Sequence, residues 1–101
     1  MPTFVVAEIT IHDPAKYERY KELAPPSIFK YGGLYAVRGG KVDTVEGEAD
    51  TGRLVILEFP SAEAAHRWWN SPEYAEAKKI RQSCSTGRIR IIEGPSVEPG
   101  S

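Results

Sequence analysis

The segment from residue 54 to residue 82 constrains the fold more than any other part of the sequence. An apolar strand pattern at 54–59 is followed by the helix-capping residues Ser61 and Ser71, each of which begins a predicted helix. A strand that leads directly into helices indicates a sheet with helices packed on it. Glu58 interrupts the apolar strand, and a carboxylate there is costly unless a partner or water meets it. Glu58 is therefore the first candidate for a functional residue.

Alternation and capping signals predict the remaining elements. Thr3–Ile11 alternates as a strand, and Asp13 with Pro14 is predicted to begin a helix that runs through residues 16–24. Pro25 and Pro26 are expected to break this helix before one more turn, which Gly32 or Gly33 closes. Other predicted elements are strands at 34–38, 53–59 and 88–93, helices at 62–69 and 72 to about 82, a hairpin connection at 42–48 that could include short strand pairing, and a loop at 84–87.

The predicted order of elements is β-α-β-β-α-β. Its simplest packing is a four-stranded antiparallel sheet in the order 4-1-3-2, with both helices on one face because crossover connections are right-handed. The predicted fold class is therefore α+β, of the ferredoxin-like kind. We expect one domain over residues 1–94 and a flexible C-terminal tail at 95–101, which is rich in Pro, Gly and Ser.

Composition excludes several classes of function. A formal net charge of −1 gives no electrostatic attraction to nucleic acid or to a membrane surface. No apolar run approaches the roughly 20 residues that a membrane span needs, and the N-terminus shows no signal segment. The lone cysteine, Cys84, cannot form an internal disulfide, which agrees with a reducing compartment. We therefore expect a cytoplasmic protein.

Assigning the strand residues to faces predicts a partner for the sheet. The face under the helices, the helix face, is expected to hold Val5, Ala7, Ile9, Tyr35, Val37, Val55, Leu57, Phe59, Ile89 and Ile91. The opposite side, the open face, is expected to hold Phe4, Val6, Glu8, Thr10, Leu34, Ala36, Arg38, Leu54, Ile56, Glu58, Arg88, Arg90 and Ile92. An apolar patch of this size usually marks an interface. We predict a homodimer built sheet to sheet, with a mixed cavity where Glu8, Arg38, Glu58 and Arg90 converge.

Short motifs distributed over nearly the whole chain carry a family resemblance. They are Asp13-Pro14 with Tyr17 and Tyr20, Tyr31-Gly32-Gly33, Arg38-Gly39-Gly40, Glu46-Gly47, Glu58-Phe59-Pro60-Ser61, Ala65, and Ser71-Pro72-Glu73-Tyr74 with Arg81. In this combination the chain resembles the bacterial family called domain of unknown function 1330. The resemblance implies a dimeric α+β barrel, in which the sheets of two ferredoxin-like subunits face each other. That superfamily includes cofactor-free monooxygenases, muconolactone isomerase and haem-binding enzymes, but the family itself supplies no catalytic roles.

Each candidate site residue has a functional and a structural interpretation. Glu58 could act as a catalytic base and Arg38 could hold an anion, or the two could form a salt bridge inside a dimer interface. Glu8 and Arg90 carry the same ambiguity. The remaining ligand-binding candidates are Tyr17 and Tyr74, which with Tyr20 could instead be core residues, and Arg81, which could instead complement a helix dipole.

The histidines and the cysteine give weak signals. His12 and His66 lack a metal-ligand spacing, so we predict no metal site and no cofactor, although haem-binding relatives make His66 worth naming. Cys84 has no adjacent base, so a nucleophilic role is weakly supported.

Three hypotheses of function remain. The first is a homodimeric protein that binds a small organic molecule in a polar pocket. A regulatory ligand-binding domain of the amino-acid-sensing kind is a rival interpretation of the same topology. The alternative is a cofactor-independent oxygenase or isomerase that acts on a small acidic or aromatic substrate. The third is a structural dimer without a ligand. An RNA-recognition domain is rejected because Leu54 and Ile56 occupy positions where such domains need aromatic rings.

Overall fold

The computed structural model describes residues 2–49 and 52–94, which form a four-stranded antiparallel sheet and three helices. The strand order β2-β3-β1-β4 is the predicted order 4-1-3-2 read from the opposite edge of the sheet, so the ferredoxin-like α+β fold is confirmed. The predicted tail at 95–101 lies outside the described residues. No helix in the described part is long and apolar enough to cross a membrane. The elements are β1 (Thr3–Ile11), α1 (Pro14–Lys30), β2 (Leu34–Arg38), β3 (Arg53–Phe59), α2 (Ala62–Trp69), α3 (Pro72–Cys84) and β4 (Ser85–Glu93).

The predicted caps begin all three helices. The side chain of Asp13 accepts a hydrogen bond from the backbone nitrogen of Lys16 at 3.2 Å. Ser61 and Ser71 do the same for α2 and α3, each at 3.1 Å. Ser71 Oγ also donates to the Trp68 carbonyl at 2.7 Å, which ties the end of α2 to the start of α3. Each cap satisfies a backbone donor that the first turn would otherwise leave free.

Helix α1 does not break at Pro25 and Pro26, so that expectation is wrong. The helix continues to Lys30, and Gly32 follows with a φ of +82°. Pro25 has no N–H to give to the carbonyl of Lys21, four residues earlier. Nη2 of Arg38 donates to that carbonyl at 3.2 Å instead. A tertiary contact thus replaces a bond that the proline removes.

Strand β4 begins at Ser85 rather than at Arg88, so the predicted loop at 84–87 is also wrong. β1 is nine residues long, and β4 pairs with it over its whole length, from Ile11↔Ser85 to Thr3↔Glu93. Helix α3 therefore passes directly into β4. The hairpin connection between β2 and β3 is present, but residues 41–49 contain no strand.

A β-bulge in β2 changes which residues face the helices. Tyr35 lies opposite Leu57, but after the extra residue Ala36 the register shifts, and Arg38 lies opposite Val55. Leu57 and Val55 belong to the helix face, so Arg38 is on the helix face and not, as predicted, on the open face. Val37 correspondingly moves to the open face, opposite Ile56.

The core under the helices is rich in aromatic side chains. Trp68, Phe59 and Tyr74 are almost completely buried, and the rings of Trp68 and Tyr74 have centroids 4.2 Å apart. The indole nitrogen of Trp68 donates to Ser27 Oγ at 3.1 Å, and Ser27 donates to the Ala24 carbonyl at 2.7 Å. These bonds join α2 to the C-terminal half of α1 and leave no buried indole donor unpaired.

Gly87 is expected to be indispensable to the β1–β4 pairing. Its φ is +149°, and a methyl group at this position would overlap the backbone carbonyl oxygen of Glu8. Gly87→Ala should lower the free energy of unfolding by at least about 2 kcal/mol, because backbone on both strands must shift. Gly40→Ala is the control, since its methyl group would meet only Val37, at 3.9 Å. Equal denaturant midpoints for the two variants would contradict this assignment.

Candidate functional site

The candidate site is a small, partly open cavity between α1 and the helix face of the sheet, here called the helix-side cavity. Its volume is about 30 Å³, enough for one or two water molecules. Apolar strand residues form its floor, and polar side chains enter from α1, β2, β3 and α3. The lining residues are Val5, Ala7, Ile9, Tyr17, Tyr20, Lys21, Ile28, Tyr35, Arg38, Arg53, Val55, Leu57, Trp68, Tyr74 and Ile89.

Four tyrosines line this cavity, namely Tyr17, Tyr20, Tyr35 and Tyr74. The hydroxyl groups of Tyr20 and Tyr74 are 2.9 Å apart and share a hydrogen bond. Burial raises the pKa of Tyr20 well above its ordinary value. Burial also raises the pKa of Tyr17, where the charge of Arg53 opposes it, and the pKa of Tyr35. At neutral pH Tyr17, Tyr20 and Tyr35 are therefore protonated, so they can orient a ligand by hydrogen bonds but cannot act as bases.

The predicted candidate Arg81 lies next to this cavity rather than on its lining. Only 7% of Arg81 is exposed, and its Nε donates to the Tyr74 hydroxyl at 3.4 Å. Burial disfavours its charge, yet the hydroxyl groups of Tyr74 and Tyr20 raise its pKa above the ordinary value. Arg81 is therefore a fixed cation behind Tyr74.

Arg38 stands at the rim of the helix-side cavity. Its guanidinium carbon lies 4.6 Å from the centroid of the Tyr35 ring, in a cation–π contact, while its Nη2 holds the Lys21 carbonyl. The guanidinium group thus joins the end of β2 to α1.

Sequence reasoning missed Arg53. It begins β3 opposite Ile9 on the helix face, and its guanidinium carbon lies 5.7 Å from the centroid of the Tyr17 ring. The alternation of β3 indicated this position, because Arg53 lies two residues before Val55 and four before Leu57, which were both assigned to the helix face.

The open face brings together only part of the predicted charge cluster. Glu8 accepts hydrogen bonds from Arg88 Nε at 3.0 Å and from Arg90 Nη2 at 2.8 Å. Glu58 is exposed on the same face, opposite Phe4 and Leu34. Arg38 lies on the other side of the sheet. The predicted convergence of Glu58 with Arg38 is therefore wrong, and a reaction that uses both residues at one site is excluded by this geometry.

The remaining candidates have ordinary surroundings. His12 Nε2 is 2.8 Å from Thr86 Oγ1 at the surface, and His66 is exposed on α2. Burial raises the pKa of Cys84, whose Sγ contacts the Arg81 carbonyl at 3.6 Å. Within residues 2–49 and 52–94, no three His, Cys, Asp or Glu side chains gather as metal ligands.

The order of elements and the sheet topology define a ferredoxin-like α+β protein. The chain belongs to the family described as Domain of unknown function (DUF1330), whose sequence model matches residues 2–95. The predicted family is thus confirmed. No curated protein matches the chain.

Several solved structures share this fold. RPA0582, a protein of unknown function from Rhodopseudomonas palustris, is 20% identical, with a TM-score of 0.76 over 94% of this chain and 83% of that chain. SnoaB, a cofactor-independent oxygenase from Streptomyces nogalater, is 16% identical, with a TM-score of 0.63 over 97% of each chain. Rv0793 from Mycobacterium tuberculosis is 19% identical, with a TM-score of 0.55 over 99% of this chain and 100% of that chain. At these identities the likeness shows the fold alone.

The ion pairs of Glu8 predict an acid-dependent stability. Hydrogen bonds from Arg88, and more weakly from Arg90, lower the pKa of Glu8 against a smaller effect of burial. A lowered folded-state pKa stabilises the fold above the unfolded value of about 4.3, and this stabilisation is lost as the pH falls through the folded-state pKa. The Tm advantage of the native protein over Glu8→Gln should therefore shrink below about pH 4.3. A constant difference from pH 6 to pH 3 in thermal melts would disprove the pairing.

Proposed function

We propose that this protein binds a small organic molecule in the helix-side cavity of each subunit of a homodimer. The observation that carries the proposal is the lining of this cavity, where four phenol groups and two guanidinium groups enter an otherwise apolar space. Ligand sites are mostly apolar, with a few converging polar groups that fix the orientation of the ligand. Of the predicted ligand-binding residues, Tyr17, Arg38 and Tyr74 line this cavity.

The cavity must widen to accept such a molecule. Its volume of about 30 Å³ is far below the roughly 300–1,000 Å³ of ordinary ligand sites. Helix α1 is the wall best suited to move, because Pro25 and Pro26 cannot donate hydrogen bonds to the preceding turn. Release of the Lys21 carbonyl by Arg38 would free this part of the helix. We therefore place the entrance at the rim formed by Lys21 and Arg38.

Homodimerisation is proposed from the open face. Its apolar side chains include Phe4, Val6 and Ile56, all partly exposed, and Leu34 and Ile92, which are 60% and 43% exposed. A sheet face of this kind is normally covered. A second copy would close it and bury the Glu8 ion pairs.

Charge on the open face supports a second copy as the partner. Arg90 lies on this face beside the carboxylate of Glu8, while Glu58 has no ion pair among the described residues. A two-fold arrangement of two such faces would let Glu58 of one subunit approach an arginine of the other. In this proposal the dimer interface contains Glu8, Glu58 and Arg90. These residues would contact a ligand only at the edge of that interface.

A second candidate function is that of a cofactor-independent oxygenase. The observation that favours it is the likeness in fold to SnoaB over 97% of each chain. The aromatic cavity would suit a planar substrate. Dioxygen uptake by the purified protein in the presence of small phenols, measured with an oxygen electrode, tests this candidate, and binding of the phenols without uptake would reject it.

Filling the helix-side cavity should weaken ligand binding. Ala7 lines the cavity, so Ala7→Val should occupy its space and weaken the binding of aromatic probes about tenfold. Ala75→Val, on the exposed side of α3, is the control. Binding is measured by NMR titration with phenol and indole. Chemical shift changes confined to the open face, or no change at 10 mM probe, would overturn the proposed function.

A charge in the middle of the open face should separate the subunits. Val6 lies between Ile56 and Arg90 on the neighbouring strands, so Val6→Asp would place a carboxylate in the proposed interface. Sedimentation velocity should show a dimer for the native protein and for the control Ala75→Asp, and a folded monomer for Val6→Asp. A native protein that sediments as a monomer at 50 μM would contradict homodimerisation.

A further inference from the structure

We infer that the ligand of the helix-side cavity is an aromatic carboxylate, whose anionic group is bound by Arg53 and Arg38. This inference rests on the proposed function and adds the chemical class of the ligand. It depends on the charges that line the cavity and on the surroundings of Arg53.

The cavity contains positive charge without matching acids. Its lining includes Lys21, Arg38 and Arg53 but no aspartate or glutamate. Lys21 Nζ turns outward to Glu18, at 2.9 Å. In the described part of the chain, neither Arg38 nor Arg53 has a carboxylate within 4 Å. An anion in this cavity would therefore meet two guanidinium groups and no repulsive charge.

Arg53 has an unused hydrogen-bond donor inside the protein. Its Nε is buried and has no partner in the described residues. Buried polar groups are almost always paired, and an unpaired donor on a cation is especially costly. The nearby Glu8 does not neutralise it, because the carboxylate of Glu8 is held by Arg88 and Arg90.

The position of Arg53 is built into the fold. A methyl group on Gly39 would overlap Nη1 of Arg53, so the guanidinium group can lie there only because β2 is followed by a glycine. Its other neighbour is the ring of Tyr17. The group is thus held between β2 and α1, beside the aromatic part of the cavity.

An aromatic acid fits this arrangement. Guanidinium groups bind carboxylates through two parallel hydrogen bonds, and Arg53 Nε together with one Nη forms such an edge. The ring of the ligand would then lie among Tyr17, Tyr20 and Tyr35, where edge-to-face contacts are favoured. Arg38, at the rim, would contact the carboxylate after leaving the Lys21 carbonyl.

The test compares benzoate with benzamide, which has nearly the same shape but no charge. Isothermal titration calorimetry on the native protein should show that benzoate binds at least about tenfold more tightly, because hydrogen bonds to a charged group are the stronger ones. Arg53→Met should reduce this preference at least severalfold and leave the affinity for benzamide within twofold. Arg53→Lys, which keeps the positive charge, should retain part of the preference for benzoate over benzamide. Arg67→Met, which changes an exposed arginine paired with Glu63, should behave as the native protein.

The outcomes distinguish failure of the proposed ligand class from failure of the proposed small-molecule binding. Equal affinity for benzoate and benzamide, with NMR shift changes at the cavity for both, would overturn the carboxylate assignment and leave small-molecule binding in place. A benzoate preference that survives Arg53→Met and Arg38→Met would also overturn it. If neither probe binds at 10 mM, the ligand class and the proposed function both fail.

Discussion

The extra residue in β2 is the constraint on which the rest of the site depends. Because Ala36 shifts the register between Tyr35 and Val37, Tyr35 and Arg38 lie on the same side of the sheet, under α1. Without the bulge, strict alternation would place Arg38 on the open face. One inserted residue therefore decides that a guanidinium group enters the cavity and that an apolar valine replaces it on the open face.

The same shift explains how α1 continues through Pro25, the first of its two internal prolines. Pro25 removes the hydrogen bond that the Lys21 carbonyl would normally accept, and Arg38 supplies the missing donor at 3.2 Å. The stability of α1 near the cavity is thus linked to a side chain at the cavity rim. In the proposed function, a ligand that engaged Arg38 would compete directly with the bond that fixes the helix, so binding and movement of α1 would be coupled through one guanidinium group.

Much of the fold could be predicted from the sequence because its signals are local. Alternation in Thr3–Ile11 and the caps Asp13, Ser61 and Ser71 fix the order of elements, and the handedness of crossovers fixes the sheet. The errors occurred where tertiary contacts decide. No glycine or proline marks the bulge at Ala36 in the sequence. The continuation of α1 depends on Arg38, which lies 17 positions after Lys21.

The candidate site was predicted less well than the fold, for the same reason. Glu58 attracted attention as a charge in an apolar strand, yet it is exposed on the open face. Arg53 was overlooked because it stands at the very start of its strand. The charges are separated by the sheet: Glu8 meets two arginines on the open face, whereas the helix-side cavity holds arginines without acids. From this separation we propose assembly on one face and ligand binding on the other.

The side of the sheet occupied by Arg38 tests this account most directly. In a ¹³C-edited NOESY spectrum of the native protein, the δ protons of Arg38 should show cross-peaks to the ring of Tyr35 and to the α proton of Lys21. Cross-peaks from Arg38 to Leu54 and Ile56 on the open face, with none to Lys21, would mean that β2 has no bulge. The arginine-lined cavity would then lose its rim, and the account of the site would be contradicted.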